Sequence, residues 1–189
     1  MAWNKLGTTT LSSAGTNIEV TYSTANKFNQ TLTHSLISTT VSMVKRFNND
    51  TGSNYANRYS ENGGADATTT SQSFILSGTP AGNHDFFNVS YFINIATEEK
   101  LFIAFAMDLT AAGAGSAPTR RDIIAKWANT SDSITTIDED GSNNFDIDSN
   151  ISAIGSDGTE SLNVQDGAIY YDTDLNKEYV LYNNTWTEI

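Results

Sequence analysis

Cysteine is absent, which removes disulfides and thiolate chemistry; with only two histidines besides, a zinc site is not expected. Two prolines and no long block of like charge are not the composition of a disordered linker. No apolar run approaches the ~20 residues that span a bilayer; the longest lies near Leu101–Met107. The opening Met-Ala-Trp-Asn-Lys-Leu lacks an apolar signal core, so secretory export is not expected. Cations are scarce, ten Lys and Arg against 22 Asp and Glu, which sets the net charge at −12 and the pI near 4.3. That balance argues against nucleic acid, whose phosphates need a basic surface, and against anionic membranes.

What is abundant is Ser, Thr and Asn, together roughly a third of the chain. These residues favour turns and strands over helix interiors. Alternation follows. Over 86–96 one parity carries Phe87, Val89, Tyr91, Ile93 and Ile95, the other Asn88, Ser90, Phe92 and Asn94. Over 101–109 one parity carries Leu101, Ile103, Phe105, Met107 and Leu109, the other Phe102, Ala104, Ala106 and Asp108. Period two predicts half-buried strands. The link Thr97-Glu-Glu-Lys100 joins them as a hairpin whose charges keep its tip in water.

Further strands are expected at 17–23 (Ile18, Val20 and Tyr22 inward), 31–47, 70–77, 120–128, 133–138 and 145–154. A parity switch near 36–37 predicts a bulge or a corner between sheets. No helical pattern of useful length is present. Eight or so strands predict an all-β fold: an antiparallel β-sandwich over 1–155, with a jelly roll the first choice and an immunoglobulin-like sandwich the second. The polar, Gly-rich segment 155–165 reads as a linker, and 156–189 as linker plus a small C-terminal β-meander. Strands there are expected near 168–172 and 178–182, with Asp172-Thr-Asp-Leu-Asn-Lys177 as the turn and Trp186 closing the unit.

Motifs for chemistry are few. No Gly-x-Ser-x-Gly elbow occurs. His34 reads as a strand wall residue and His84 as part of a loop. Glu98 and Glu99 read as a solvated tip, so no catalytic residues are assigned and an enzyme is not expected. Asp138-Glu-Asp-Gly-Ser-Asn-Asn-Phe-Asp-Ile-Asp148 offers Asp138, Asp140, Asn143 and Asp146 as oxygen ligands for calcium, although the spacing is not an EF-hand; no other cofactor is expected. The segment 48–66 reads as a long loop. Its Asn54, Tyr55, Arg58, Tyr59 and Asn62 suit contact with a sugar or protein, since aromatic faces stack and amides hydrogen-bond hydroxyls.

The C-terminal stretch Asp166–Ile189 resembles the short terminal modules of bacteriophage tail-fibre and appendage proteins. Three other stretches carry a wider resemblance: Trp3-Asn-Lys-Leu-Gly-Thr-Thr-Thr-Leu11, Phe47–Gly64 and Arg120–Ile137. Together they look like a family of β-sandwich virion proteins from marine tailed phages and archaeal viruses. Ser149–Gly155 departs from the family's closing strand, with Ile154 where an aromatic is usual.

The resemblance implies a virion structural protein, a surface appendage or fibre head contacting a host glycan or protein. It would be made in the host cytoplasm and would assemble with other virion proteins as a homo-oligomer, a trimer by analogy with fibres. Two alternatives stay open: a capsid decoration protein without a receptor role, and a carbohydrate-binding module of a lectin-like protein. The latter predicts a row of exposed aromatics on one sheet face.

Overall fold

The computed structural model describes residues 3–23, 26–82, 84–109, 111–157, 167–183 and 185–189. They divide between two compact units, Trp3–Asp157 and the C-terminal stretch; 158–166, most of the expected linker, lies outside the described residues. Among the described residues there is no helix.

The body holds β1 (Asn4–Thr10), β2 (Gly15–Thr21), β3 (Phe28–Ser35), β4 (Met43–Phe47), β5 (Tyr55–Glu61) and β6 (Ala67–Gln72). Then come β7 (Ile75–Gly78), β8 (Phe86–Ile93), β9 (Lys100–Asp108), β10 (Thr119–Trp127), β11 (Thr136–Phe145) and β12 (Asn150–Ser156). They form two antiparallel sheets, an eight-stranded one in the order β1-β12-β3-β8-β9-β10-β5-β6 and a four-stranded one in the order β2-β11-β4-β7. Packed face to face, these make the expected β-sandwich. Its finer form, a jelly roll, is not established by this strand order, in which β8, β9 and β10 run as a meander inside the larger sheet.

The predicted corner near 36–37 is where the chain leaves β3 in one sheet and enters β4 in the other, so 31–47 is two strands. Likewise 70–77 divides between β6 and β7, which belong to different sheets.

The segment 48–66 is not a long loop. Asn48 and Asn49 both adopt positive φ and turn the chain after β4, with Asp50 N–H donating to Phe47 C=O at 3.0 Å. Asn62 and Gly63 do the same after β5, with Gly64 N–H donating to Glu61 C=O at 2.8 Å. Paired left-handed residues favour hairpin turns, and Asn-Gly is their usual sequence. Between these turns Tyr55–Glu61 pairs with both β6 and β10.

The core centres on Phe47, Tyr55, Phe92, Phe102 and Trp127, whose rings lie 5.3–6.4 Å apart. Tyr55 OH accepts from Phe47 N–H at 3.0 Å, and Trp127 Nε1–H donates to Asp50 at 2.6 Å. Lys100, expected at a wet hairpin tip, is fully buried. Its ammonium donates to the carbonyls of Ala96 and Asn129 at 3.0 and 2.7 Å and lies 5.5 Å from the Trp127 ring. Burial holds its pKa below the usual lysine value. Glu98 and Glu99 are exposed, as expected of the tip.

The two parities of the β8–β9 hairpin are sorted by size in an unexpected direction. Phe86, Asn88, Ser90 and Phe92 of β8 and Phe102, Ala104 and Ala106 of β9 face the small sheet. The bulkier set, Phe87 and Tyr91 with Leu101, Ile103, Phe105 and Met107, is exposed on the outer face. The inner face of β3 is also polar, with Asn29, Thr31, Thr33 and Ser35 buried. Facing it, Lys45 and Glu139 form a fully buried ion pair at 3.1 Å, and Lys45 Nζ reaches Thr31 Oγ1 at 3.4 Å.

The C-terminal unit is a three-stranded meander, β13 (Ile169–Asp172), β14 (Lys177–Tyr182) and β15 (Thr185–Glu188). Asp172 caps its turn by accepting from the N–H groups of Asp174 and Leu175, both at 3.0 Å. Tyr170 stacks on Tyr179 at 5.1 Å, and Trp186 meets Tyr170 edge-on at 4.8 Å.

Candidate functional site

At one end of the sandwich the strands do not close completely. The last residues of β5, β7 and β9 (Glu61, Gly78, Asp108) and the first of β8 and β10 (Phe86, Thr119) surround a cavity of about 350 Å³, with Thr79, Pro80, Ala81 and His84 along one wall. This is within the usual size range of small-ligand sites. Gly78 keeps the wall thin, because a Cβ there would meet the Phe86 ring at 2.6 Å.

Alternation along β10 points Arg121, Ile123, Ala125 and Trp127 the same way. Ile123, Ala125 and Trp127 are buried in the core. Arg121, the first of the series, comes out at the cavity. Directly across the ladder is Glu61, and the pair is closed at 2.5 Å. The guanidinium lies 5.3 Å from the ring centre of Tyr59, which stands two residues before Glu61 on β5. On the far wall His84 Nδ1 stands 4.0 Å from Asp108 Oδ2. Two carboxylates, a guanidinium and an imidazole therefore share one recess with Phe86, Pro80 and Met107. Such a lining can hold a small polar molecule by its hydroxyl groups: the carboxylates accept, the cation donates, and the apolar wall covers carbon faces.

The five residues singled out as a loop contact do not converge. Tyr55 is core, and Asn54 is spent on its own turn, donating to Asp50 at 2.9 Å. Arg58 points to the outer face and pairs with Asp66 at 3.2 Å. Only Tyr59 and Asn62 come to the cavity end. There Asn62 Oδ1 accepts from Arg120 N–H at 2.9 Å and so ties the turn to β10. Tyr55–Glu61 is a strand, not loop, and along a strand Asn54 and Asn62 stand ~25 Å apart.

The calcium candidates also fail to gather. Asp138 and Asp140 lie on β11 itself, on the outer face of the small sheet. Asp140 is taken by Arg46, through a short ion pair, and by Asn17 at 2.8 Å. Asn143 donates to Thr40 C=O at 2.7 Å, and Asp146 accepts from Ser38 at 3.1 Å. Among the described residues no three His, Cys, Asp or Glu side chains group as a metal site would require.

Asp138 lies directly across the ladder from Glu19. Burial, then a hydrogen bond and repulsion from Glu19, push the Asp138 carboxyl up to about 7, while that same hydrogen bond holds Glu19 below its usual value. The two carboxyls therefore titrate as a coupled pair.

Glu61, His84, Asp108 and Arg121 were not singled out as site residues from the sequence. They come from four separate strand ends and connections, and no local motif joins them. No family model, curated protein or solved structure matches this chain.

Proposed function

We propose that this chain is a virion surface protein, an appendage or fibre head, that binds host-surface glycan in the cavity at the end of its sandwich. The observation that carries the binding part is the recess itself, where Arg121, Glu61, His84 and Asp108 face a common space beside apolar wall. The virion part rests on the sequence resemblance of the body and of the terminal meander. Binding fits this site better than hydrolysis, since Glu61 is paired with Arg121 and Asp108 lies beside His84.

The test is titration of the isotope-labelled protein with a panel of soluble mono- and oligosaccharides, read by NMR. Shifts concentrated at His84, Thr119 and Arg121, and weakened at least about tenfold by Thr119→Val with Glu61→Gln, are the expected result. No shifts at millimolar sugar would overturn the glycan reading and favour a decoration protein without a receptor.

The lectin alternative gains one observation, the exposed aromatics Phe87, Tyr91 and Phe105 on the outer sheet face. Their neighbours argue for a different use. Ile103, Ile124 and Met107 are interleaved with them, and aliphatic side chains offer a sugar neither stacking faces nor hydrogen bonds.

A further inference from the structure

We propose that the outer face of β8, β9 and β10 is the contact between two copies of this chain, packed sheet on sheet about a twofold axis. This inference stands on the outer face alone and does not depend on the cavity.

The first argument is area. Seven large apolar side chains here are between 37% (Phe87) and 60% (Ile124) exposed. At ~200 Å² for each large side chain when free, they leave on the order of 600 Å² uncovered. That is the upper end of what a monomer usually shows, about 300–600 Å². With a polar rim it approaches the ~800 Å² per partner of a standard interface.

The second argument is symmetry. Tyr91, Ile103 and Ile124 stand in register as a row across the three strands. Outward residues two positions either side of that row are Phe105 and Leu101 on β9, and Asp122 and Lys126 on β10. A twofold axis along the row reverses the strands of the second copy. Ile103 and Ile124 then each cover their own counterparts, Leu101 covers Phe105 of the second copy, and Asp122 meets Lys126 of the second copy. A twofold contact requires a self-complementary surface, and here the two charges flank the apolar row with opposite sign. A foreign partner has no reason to carry that spacing, whereas a second copy carries it by symmetry. Within one chain Asp122 pairs with Arg120 at 3.2 Å and Lys126 with Glu99 at 2.6 Å. These pairs are partly exposed, so exchanging partners costs little. Aligned sheets pack about 10 Å apart, a spacing that these side chains would fill.

The experiment is sedimentation equilibrium of the full chain from about 1 to 100 µM, with circular dichroism to confirm that each variant is folded. The wild type is expected to be a dimer. Ile103→Thr with Ile124→Thr keeps β-branched residues on both strands and should weaken association about 100-fold. Lys126→Asp alone, which sets like charges opposite each other, should weaken it about tenfold, and adding Asp122→Lys should restore it. A monomer at the highest concentration, a trimer, or a dimer indifferent to the isoleucine pair would each overturn the proposal. If the isoleucine variant does not fold, the charge series decides alone: failure of the swap to rescue would overturn it.

Discussion

The inner and outer faces of β8 and β9 are made by the same two strands, yet they are built for opposite tasks. The inner face carries Asn88, Ser90, Ala104 and Ala106 between Phe86 at one end and the paired Phe92 and Phe102 at the other, and looks onto a fully buried ion pair. The outer face carries Phe87, Tyr91, Ile103, Phe105 and Met107 and looks onto solvent. Hydrophobic burial drives folding in proportion to the apolar area removed from water. Much of the apolar area of this hairpin is therefore not used by the body's own fold. A sheet with its bulkier side outward is better explained by cover that arrives after folding than by the sandwich alone.

The inner layer gives the largest predicted effects. Glu139→Ala leaves the Lys45 ammonium buried without its carboxylate and should cost about 3–5 kcal/mol in urea denaturation. Replacing both partners, Lys45→Met with Glu139→Leu, should recover most or all of that loss, because two well-packed apolar groups avoid desolvating two charges. If the double replacement were as damaging as the single, the pair would be doing more than neutralising itself. The Thr31 and Ser90 hydroxyls beside it would then be the next residues to change.

The two outer faces differ as well, and that contrast is sharpened by pH. Where β8, β9 and β10 of the large sheet are apolar outside, the small sheet is polar and carries the Glu19–Asp138 pair. Asp138, raised to about 7 by burial and by Glu19, keeps its proton in the folded state. An unfolded aspartate has lost it above about 4. The folded state thus binds more protons across that window, so the contribution of Asp138 to stability is complete below about 4 and is lost as pH rises through about 7. Asp138→Asn cannot lose a proton. It should flatten this slope and raise the melting temperature at pH 8 by roughly 3–6 °C relative to its effect at pH 4. A wild-type melting temperature that does not fall between pH 5 and 8, with no relative gain in the variant, would contradict the raised pKa.

The residues explain which parts of this structure were legible. The β8–β9 hairpin stands out because its alternation is long and unbroken. Which parity faces inward does not, since Phe92, Phe102 and two alanines make an acceptable inner face, and the choice depends on Lys45 and Glu139 some 40 to 50 residues away. Strand β5 escaped because its inward residues are Tyr55, Asn57 and Tyr59. The amide in the middle, which donates to Phe74 C=O at 3.1 Å, hides an apolar stripe. Its turn was visible as Asn62-Gly63, but a stretch so rich in Asn and Gly reads as loop throughout. The terminal meander was legible because turn, stacked tyrosines and closing Trp186 all lie within about two dozen residues of sequence. The cavity was not, because Glu61, His84, Asp108 and Arg121 meet only through strand pairing.

The smallest predicted effect separates the two faces most cleanly. Phe102→Ala empties the aromatic core and should cost about 3–5 kcal/mol at any protein concentration. Phe105→Thr, three residues along the same strand, removes a ring that is 44% exposed and replaces it with another strand former. In dilute solution it should cost under about 1 kcal/mol. Its cost should grow with concentration, because a second copy that covers Phe105 stabilises the folded state by mass action and the variant forfeits part of that gain. Thermal melts of both variants and the wild type over a hundredfold range of concentration read this directly. Parallel curves for wild type and Phe105→Thr would mean that no copy of the chain covers the outer face. Curves that converge on dilution would mean that the face contributes to stability only when it is shared.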